Sequence, residues 1–265
     1  MSSIDVPLKA LKRRTFGQTM RPDLWWITPL AVFLGLGSFV VYSTWAALQG
    51  DFYRFGPYLS PMYSPLLLTA RPGWWPAFLP FSAAMLILWA PGGFRITCYY
   101  YRGAYYKAFW GDPPACAVGE PRKSYWGERK FPLILQNIHR YFFYLALVFL
   151  VLLAHDAWQA LWWTHAWDPA VAAGQRIFEL RVGTLVMIIN PILLACYTLG
   201  CHSLRHLTGG RKDELSAGRR KAYDCVSCLN RKHMMWAWFS LVWVMFTDVY
   251  VRLCAMGVWH DWRIH

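Results

Sequence analysis

Residues 24–50 contain no Asp, Glu, Lys or Arg, and an uncharged apolar run of that length has few possible environments. A hydrocarbon layer of roughly 30 Å takes about 20 such residues in a helix, and only helices and closed barrels satisfy their backbone groups there. A second run, residues 133–154, carries only Arg140, near its start. Composition agrees: 57% of the 265 residues are hydrophobic and 15% are charged, against roughly 25% charged in a soluble domain. The chain reads as an all-α integral membrane protein. The expected architecture is one bundle of five transmembrane helices, at about 24–48, 75–97, 132–158, 182–201 and 234–257, with no internal repeat or linker. Residues 1–23 are polar and basic and lack the pattern of a cleavable signal peptide.

The formal charge of +13 raises nucleic acid as a partner, but its distribution points elsewhere. With the N-terminus cytoplasmic, 21 of the 27 Lys and Arg residues fall on the inner side. Only Arg54, Arg71, Arg176, Arg181, Arg252 and Arg263 lie outside. This is the positive-inside bias of a multi-pass protein of the inner (plasma) membrane, with its C-terminus outside and no nucleic-acid partner. Trp25 with Trp26, Trp74 with Trp75, Trp162 with Trp163, and Trp259 with Trp262 mark the headgroup levels.

Sorted by this topology, the cysteines and histidines concentrate on one side. Cys98, Cys116, Cys201, Cys225 and Cys228 fall at or beyond the inner ends of helices, with Cys196 slightly deeper, and His139, His202, His206 and His233 join them. Structural disulfides are disfavoured in the cytoplasm, which leaves inert thiols or metal ligands. His202 and His206 are one helical turn apart, so their imidazoles share a face. Cys225 and Cys228 form a C-x-x-C, which zinc, an iron–sulfur cluster or a redox couple can each use. Two His with two Cys is the ligand set of a Rieske-type 2Fe-2S cluster. The expected metal ligands are His202 and His206, with thiolates drawn from Cys116, Cys201, Cys225 and Cys228. Spacing favours Cys225 and Cys228.

Haem b is the rival, because bis-His ligation across facing helices holds haem in a bundle. His139 with His206 or His233 offers one such pair. The third expected helix opens with a dense polar group, Gln136, Asn137, His139, Arg140 and Tyr141. With Trp126 nearby, these residues make a candidate quinone site: donors for carbonyl oxygens beside apolar walls. Capping and headgroup contact is the plainer reading of the same residues.

Three stretches carry a family resemblance: Cys98-Tyr-Tyr-Tyr-Arg-Gly-Ala-Tyr-Tyr-Lys-Ala-Phe-Trp, Asp112-Pro-Pro-Ala-Cys116-Ala-Val, and Phe131-Pro-Leu-Ile-Leu-Gln-Asn-Ile-His139-Arg-Tyr-Phe. With Cys201-His202-Ser203-Leu204-Arg205-His206 and Gly209-Gly210, they resemble the membrane-anchor, SdhC-type subunit of an actinobacterial succinate dehydrogenase over most of residues 95–248. The resemblance implies a subunit of respiratory complex II. Flavoprotein and iron–sulfur partner subunits would sit on the cytoplasmic face, quinone (menaquinone expected) would be reduced in the anchor, and a higher oligomer is admitted. It also implies a membrane-embedded Rieske-type cluster in place of haem, and its flanking residues favour Cys116 and Cys201 as ligands. Leu204 stands where another Cys was expected, and Cys225 and Cys228 are additional.

The chain itself has no Rossmann fingerprint and no room for a flavin or succinate domain, so any dehydrogenase activity belongs to an assembly. Two alternatives remain open: a haem b-containing anchor of a fumarate reductase, and, in a different class, a transporter, hinted at by Pro80, Pro91 and Pro191 within apolar segments.

Overall fold

The computed structural model describes residues 15–121, 133–210 and 216–264. In chain order its helices are α1 (Ile27–Gln49), α2 (Trp89–Thr97), α3 (Tyr99–Phe109), α4 (His139–Gln159), α5 (Val182–Leu199), α6 (His202–Gly209), α7 (Ala217–Arg231) and α8 (His233–Ala255). Two small antiparallel hairpins pair β1 (Arg54–Phe55) with β2 (Tyr58–Leu59), and β3 (Trp162–Thr164) with β4 (Arg176–Phe178). Among the described residues, α1, α4, α5 and α8 are long and apolar enough to cross a membrane. Their outer faces expose Leu34, Val41, Val151, Ile192 and Val242, as a lipid-facing bundle requires.

The second expected helix is the exception. Of residues 75–97 only Trp89–Thr97 is α-helical, preceded by irregular chain and a 3-10 turn at Ala83–Leu86. Pro76 and Pro80 account for the loss, because each lacks an N–H and pushes its predecessor out of the helical region. Helical geometry restarts where the Ser82 hydroxyl accepts from the Ala84 N–H. Pro91 is tolerated because it falls in the first turn of α2, whose N–H groups need no intrahelical partner.

Short as α2 is, the chain around it spans the bundle. The Ser64 hydroxyl bonds to Asp156 near the end of α4, whereas Thr97 meets His139 at the start of α4. Two ends result. A basic end gathers the N-terminal segment, α3, α6 and α7, with the Gly17 N–H donating to Gly119 O at 3.0 Å. A hairpin end gathers both hairpins and residues 256–264, with the Ile264 N–H donating to Leu180 O at 2.8 Å.

Close helix approach uses a glycine. A Cβ on Gly93 would overlap the Phe142 ring, so α2 reaches α4 only because that position carries none. Gly93→Ala should therefore cost about 1–3 kcal/mol through overpacking. Chemical denaturation in detergent would measure it, and Gly93→Ala combined with Phe142→Leu should recover most of the loss.

The hairpin end is tied by buried polar groups. Asp261 accepts from the Tyr58 hydroxyl and the Tyr250 hydroxyl, each at 2.8 Å, and from the Gly183 N–H at 2.9 Å. Asp248 accepts from the Tyr42 hydroxyl at 2.5 Å, from Ser60, and from Arg252 Nε at 2.7 Å. Arg252 also donates to the carbonyls of Asp51 at 2.8 Å and Ala46 at 2.9 Å.

Candidate functional site

Four segments bring their ends together in the basic half of the bundle. Cys98 joins α2 to α3 and Cys201 joins α5 to α6; both are buried, and both take the same extended backbone between two helices. His139 and His233 are the first residues of α4 and α8. Their imidazoles meet the thiols pairwise: His139 Nε2 lies 3.1 Å from Cys201 Sγ, and His233 Nε2 lies 3.4 Å from Cys98 Sγ.

Aromatic rings connect the pairs. The His139 ring stacks on Phe94 at 4.8 Å with 7° between planes, Phe94 meets Tyr197 edge-on at 5.3 Å, and Tyr197 stacks on His233 at 5.0 Å. These contacts fix both ring planes. Thr97 also fixes a tautomer: its hydroxyl donates to the Gly93 carbonyl at 2.7 Å, so its oxygen accepts from His139 Nδ1 at 2.8 Å. A hydroxyl has one proton to give, hence His139 carries its proton on Nδ1 and turns a bare Nε2 toward Cys201.

Beside this group sits a cation. Arg95 donates to the Tyr101 hydroxyl at 2.7 Å and to Ser240 Oγ at 3.1 Å, and its guanidinium lies 4.8 Å from the centroid of the Tyr197 ring. Among the described residues it has no carboxylate partner. Two buried polar atoms here lack hydrogen bonds, the Tyr197 hydroxyl and His233 Nδ1.

The other expected ligands lie apart from this group. His202 and His206 face each other on α6, Nε2 to Nε2 at 2.9 Å, with His202 stacked on Tyr99. Burial, then neighbouring His206 and Arg205, hold His202 below the usual histidine range. Cys225 and Cys228 are exposed on α7, and Cys116 is exposed in the loop after α3, where its carbonyl accepts from Arg21 at 3.0 Å. Among the described residues no three His, Cys, Asp or Glu side chains gather around a single point, so a lone ion has no ready shell. The donors come two and two.

The expected quinone residues also divide. The Gln136 side-chain oxygen accepts from the Tyr106 hydroxyl at 3.0 Å and Arg102 Nη1 at 3.3 Å, and its amide nitrogen donates to Tyr105, so it fastens α3 to the start of α4. His139 belongs to the buried group. Asn137, Arg140 and Tyr141 are exposed, on the other side of the helix, and Trp126 lies outside the described residues.

Residues 27–257 match the family described as actinobacterial succinate dehydrogenase subunit SdhC. The chain belongs to that family. The chain is also similar to a solved structure described as the Mycobacterium smegmatis Sdh1 complex in the apo form, at 40% identity and a TM-score of 0.81. That likeness covers 95% of this chain and 96% of the other. Among curated proteins none matches the sequence.

Spacing gives no sign that Cys98 meets His233, which are 135 positions apart. Depth in the membrane carried the signal. Two cysteines each end a helix running toward the basic end, two histidines each begin one running away, and both cysteines precede an Arg by four residues, Arg102 and Arg205.

Proposed function

We propose that this chain is the membrane anchor of a succinate:quinone oxidoreductase in the plasma membrane, with its N-terminus and basic end cytoplasmic. It receives electrons from an iron–sulfur partner subunit, itself served by a flavoprotein, and passes them to a quinone; Cys98, Cys201, His139 and His233 would hold a 2Fe-2S centre, which would supply one-electron chemistry there. The observation that carries this reading is the two thiol–imidazole pairs, His139 with Cys201 and His233 with Cys98, linked through the rings of Phe94 and Tyr197. The donor set fits the group: two sulfur and two nitrogen donors are what a Rieske-type centre uses. The bare Nε2 of His139 faces the Cys201 thiol, which leaves its lone pair free for a ligand bond.

When bound, such a centre supplies one-electron transfer at a potential raised by its imidazole ligands. The chain's own residues supply the rest. Thr97 holds His139 in one tautomer, and orienting partners of this kind are worth about 10–100-fold in metal affinity. Phe94 and Tyr197 set the imidazole planes and exclude water. Arg95 adds a positive charge that favours thiolates and any anionic group beside it. The partner subunit docks on the α6–α7 pair, where Arg205, Arg219, Arg220, Lys221 and Arg231 cluster.

Among the described residues no histidine lines the cavity of about 170 Å³ between α2, α4 and α5, which disfavours haem there. Paramagnetic resonance of the purified complex tests the assignment: reduction with succinate should give the signal of a cluster with mixed His and Cys ligation. A b-type haem spectrum, or no signal beyond those of the partner's own clusters, would overturn it.

A further inference from the structure

His202 and His206 meet edge to face on α6, their ring centroids 4.4 Å apart and their planes at 83°, with 2.9 Å from Nε2 to Nε2. Left to itself the pair shares one proton, donated by one Nε2 to the other. The same arrangement is that of a chelate. Zinc–nitrogen bonds of about 2.0–2.1 Å put two neighbouring donors about 2.9–3.4 Å apart, so both rings can grip one ion with little movement once the shared proton has passed to Nδ1.

The surroundings support that use. His202 stacks on Tyr99 with ring centroids 6.2 Å apart, which restrains its plane. Arg205, between the two histidines in sequence, is held elsewhere: its guanidinium donates to Ser227 Oγ and the Tyr223 hydroxyl on α7, each at 3.2 Å. Both imidazoles are exposed, so an ion reaches them without entering the bundle. Among the described residues no third His, Cys, Asp or Glu joins them, and two ligands do not close a shell; a bound ion would exchange readily, with water in its other positions. Imidazole nitrogen selects Zn2+ and similar transition ions, whereas Mg2+ and Ca2+ take oxygen.

We propose that His202 and His206 form an exchangeable site for a divalent ion that prefers nitrogen ligands, Zn2+ in particular. The site lies on the exposed side of α6, whereas Cys201, at the N-cap of the same helix, is buried. Because His202 follows Cys201 directly and α6 belongs to the docking face, the bound charge should slow electron transfer across that face. This consequence rests on the electron-transfer reading above; the binding does not.

Equilibrium dialysis of the intact complex against Zn2+, followed by metal analysis, tests the site. Cys225 and Cys228 are exposed thiols that bind the same ion, so the background carries Cys225→Ser with Cys228→Ser. On it, His202→Ala and His206→Ala should each weaken the binding of one equivalent of Zn2+ per anchor at least about tenfold, the least that even an orienting partner is worth to a metal site. Zn2+ should also slow succinate-driven quinone reduction, but not reduction of a soluble dye by the flavoprotein, and each histidine substitution should relieve the inhibition. Zn2+ affinity within about twofold of the background in either variant would overturn the site, as would loss of the equivalent on replacing Cys225 and Cys228 alone. Inhibition unchanged in both histidine variants would overturn the consequence for electron transfer. A complex that oxidises succinate yet reduces no quinone even without Zn2+ would instead remove the reading beneath that consequence and leave the dialysis result standing.

Discussion

Cys98→Ser and Cys201→Ser should each abolish the anchor's iron and acid-labile sulfide and cut quinone reduction by at least about a hundredfold, more than loss of an orienting partner costs. The reason is geometric. Each thiol is buried at a helix junction with an imidazole nitrogen 3.1–3.4 Å away. Serine keeps the size and the junction geometry but not the soft donor. His139→Ala and His233→Ala should behave alike. Cys116→Ser, Cys225→Ser and Cys228→Ser should leave iron content near wild type, because those thiols are exposed, and so should His202→Ala, whose imidazole packs on Tyr99 and His206. Thr97→Val should fall between, with affinity lowered about 10–100-fold. Iron and sulfide analysis of the purified variants decides. Retention of the centre in Cys98→Ser, with its loss in Cys225→Ser, would move the ligands to α7.

The second large effect lies at the opposite end. Asp248 and Arg252 are 0% and 2% exposed, and their ion pair sits among Tyr42, Ser60 and two backbone carbonyls. Removing one member strands the other charge, so Asp248→Leu or Arg252→Leu should each lose about 3–5 kcal/mol. The double variant should lose far less, since neither charge is then buried alone. Tyr42→Phe removes one hydrogen bond and should cost about 1–3 kcal/mol. Denaturation in detergent micelles would measure all four. Single variants that unfold within about 1 kcal/mol of wild type would show the pair to be solvated.

The long helices were legible because burial in hydrocarbon leaves a one-dimensional signature: α1, α4, α5 and α8 begin and end within a few residues of their expected bounds, apart from the 3-10 turn Leu133–Ile138 that opens α4. Residues 75–97 were apolar enough to pass the same test, but hydropathy is blind to the missing N–H groups of Pro76 and Pro80. At the site, spacing identified what is local. It rightly put His202 and His206 on one face, and the structure joins them to each other and to no thiol. What joins Cys98, His139, Cys201 and His233 is tertiary: no periodicity relates a helix end to a helix start far along the chain. The resemblance pointed to Cys116 and Cys201 through their neighbours; Cys201 meets His139, which stood within another of the matching stretches, whereas Cys116 is exposed in the loop after α3.

The order of the four donors along the chain bears on how the site is made. Cys98, His139 and Cys201 emerge first, but Cys98 gains its imidazole only from His233, at the head of the last long helix. A nascent chain can thus thread its earlier helices into the bilayer while holding half a site. Loading of any group at this position is a step that follows membrane insertion of α8, and chains truncated before residue 233 should reach the membrane empty.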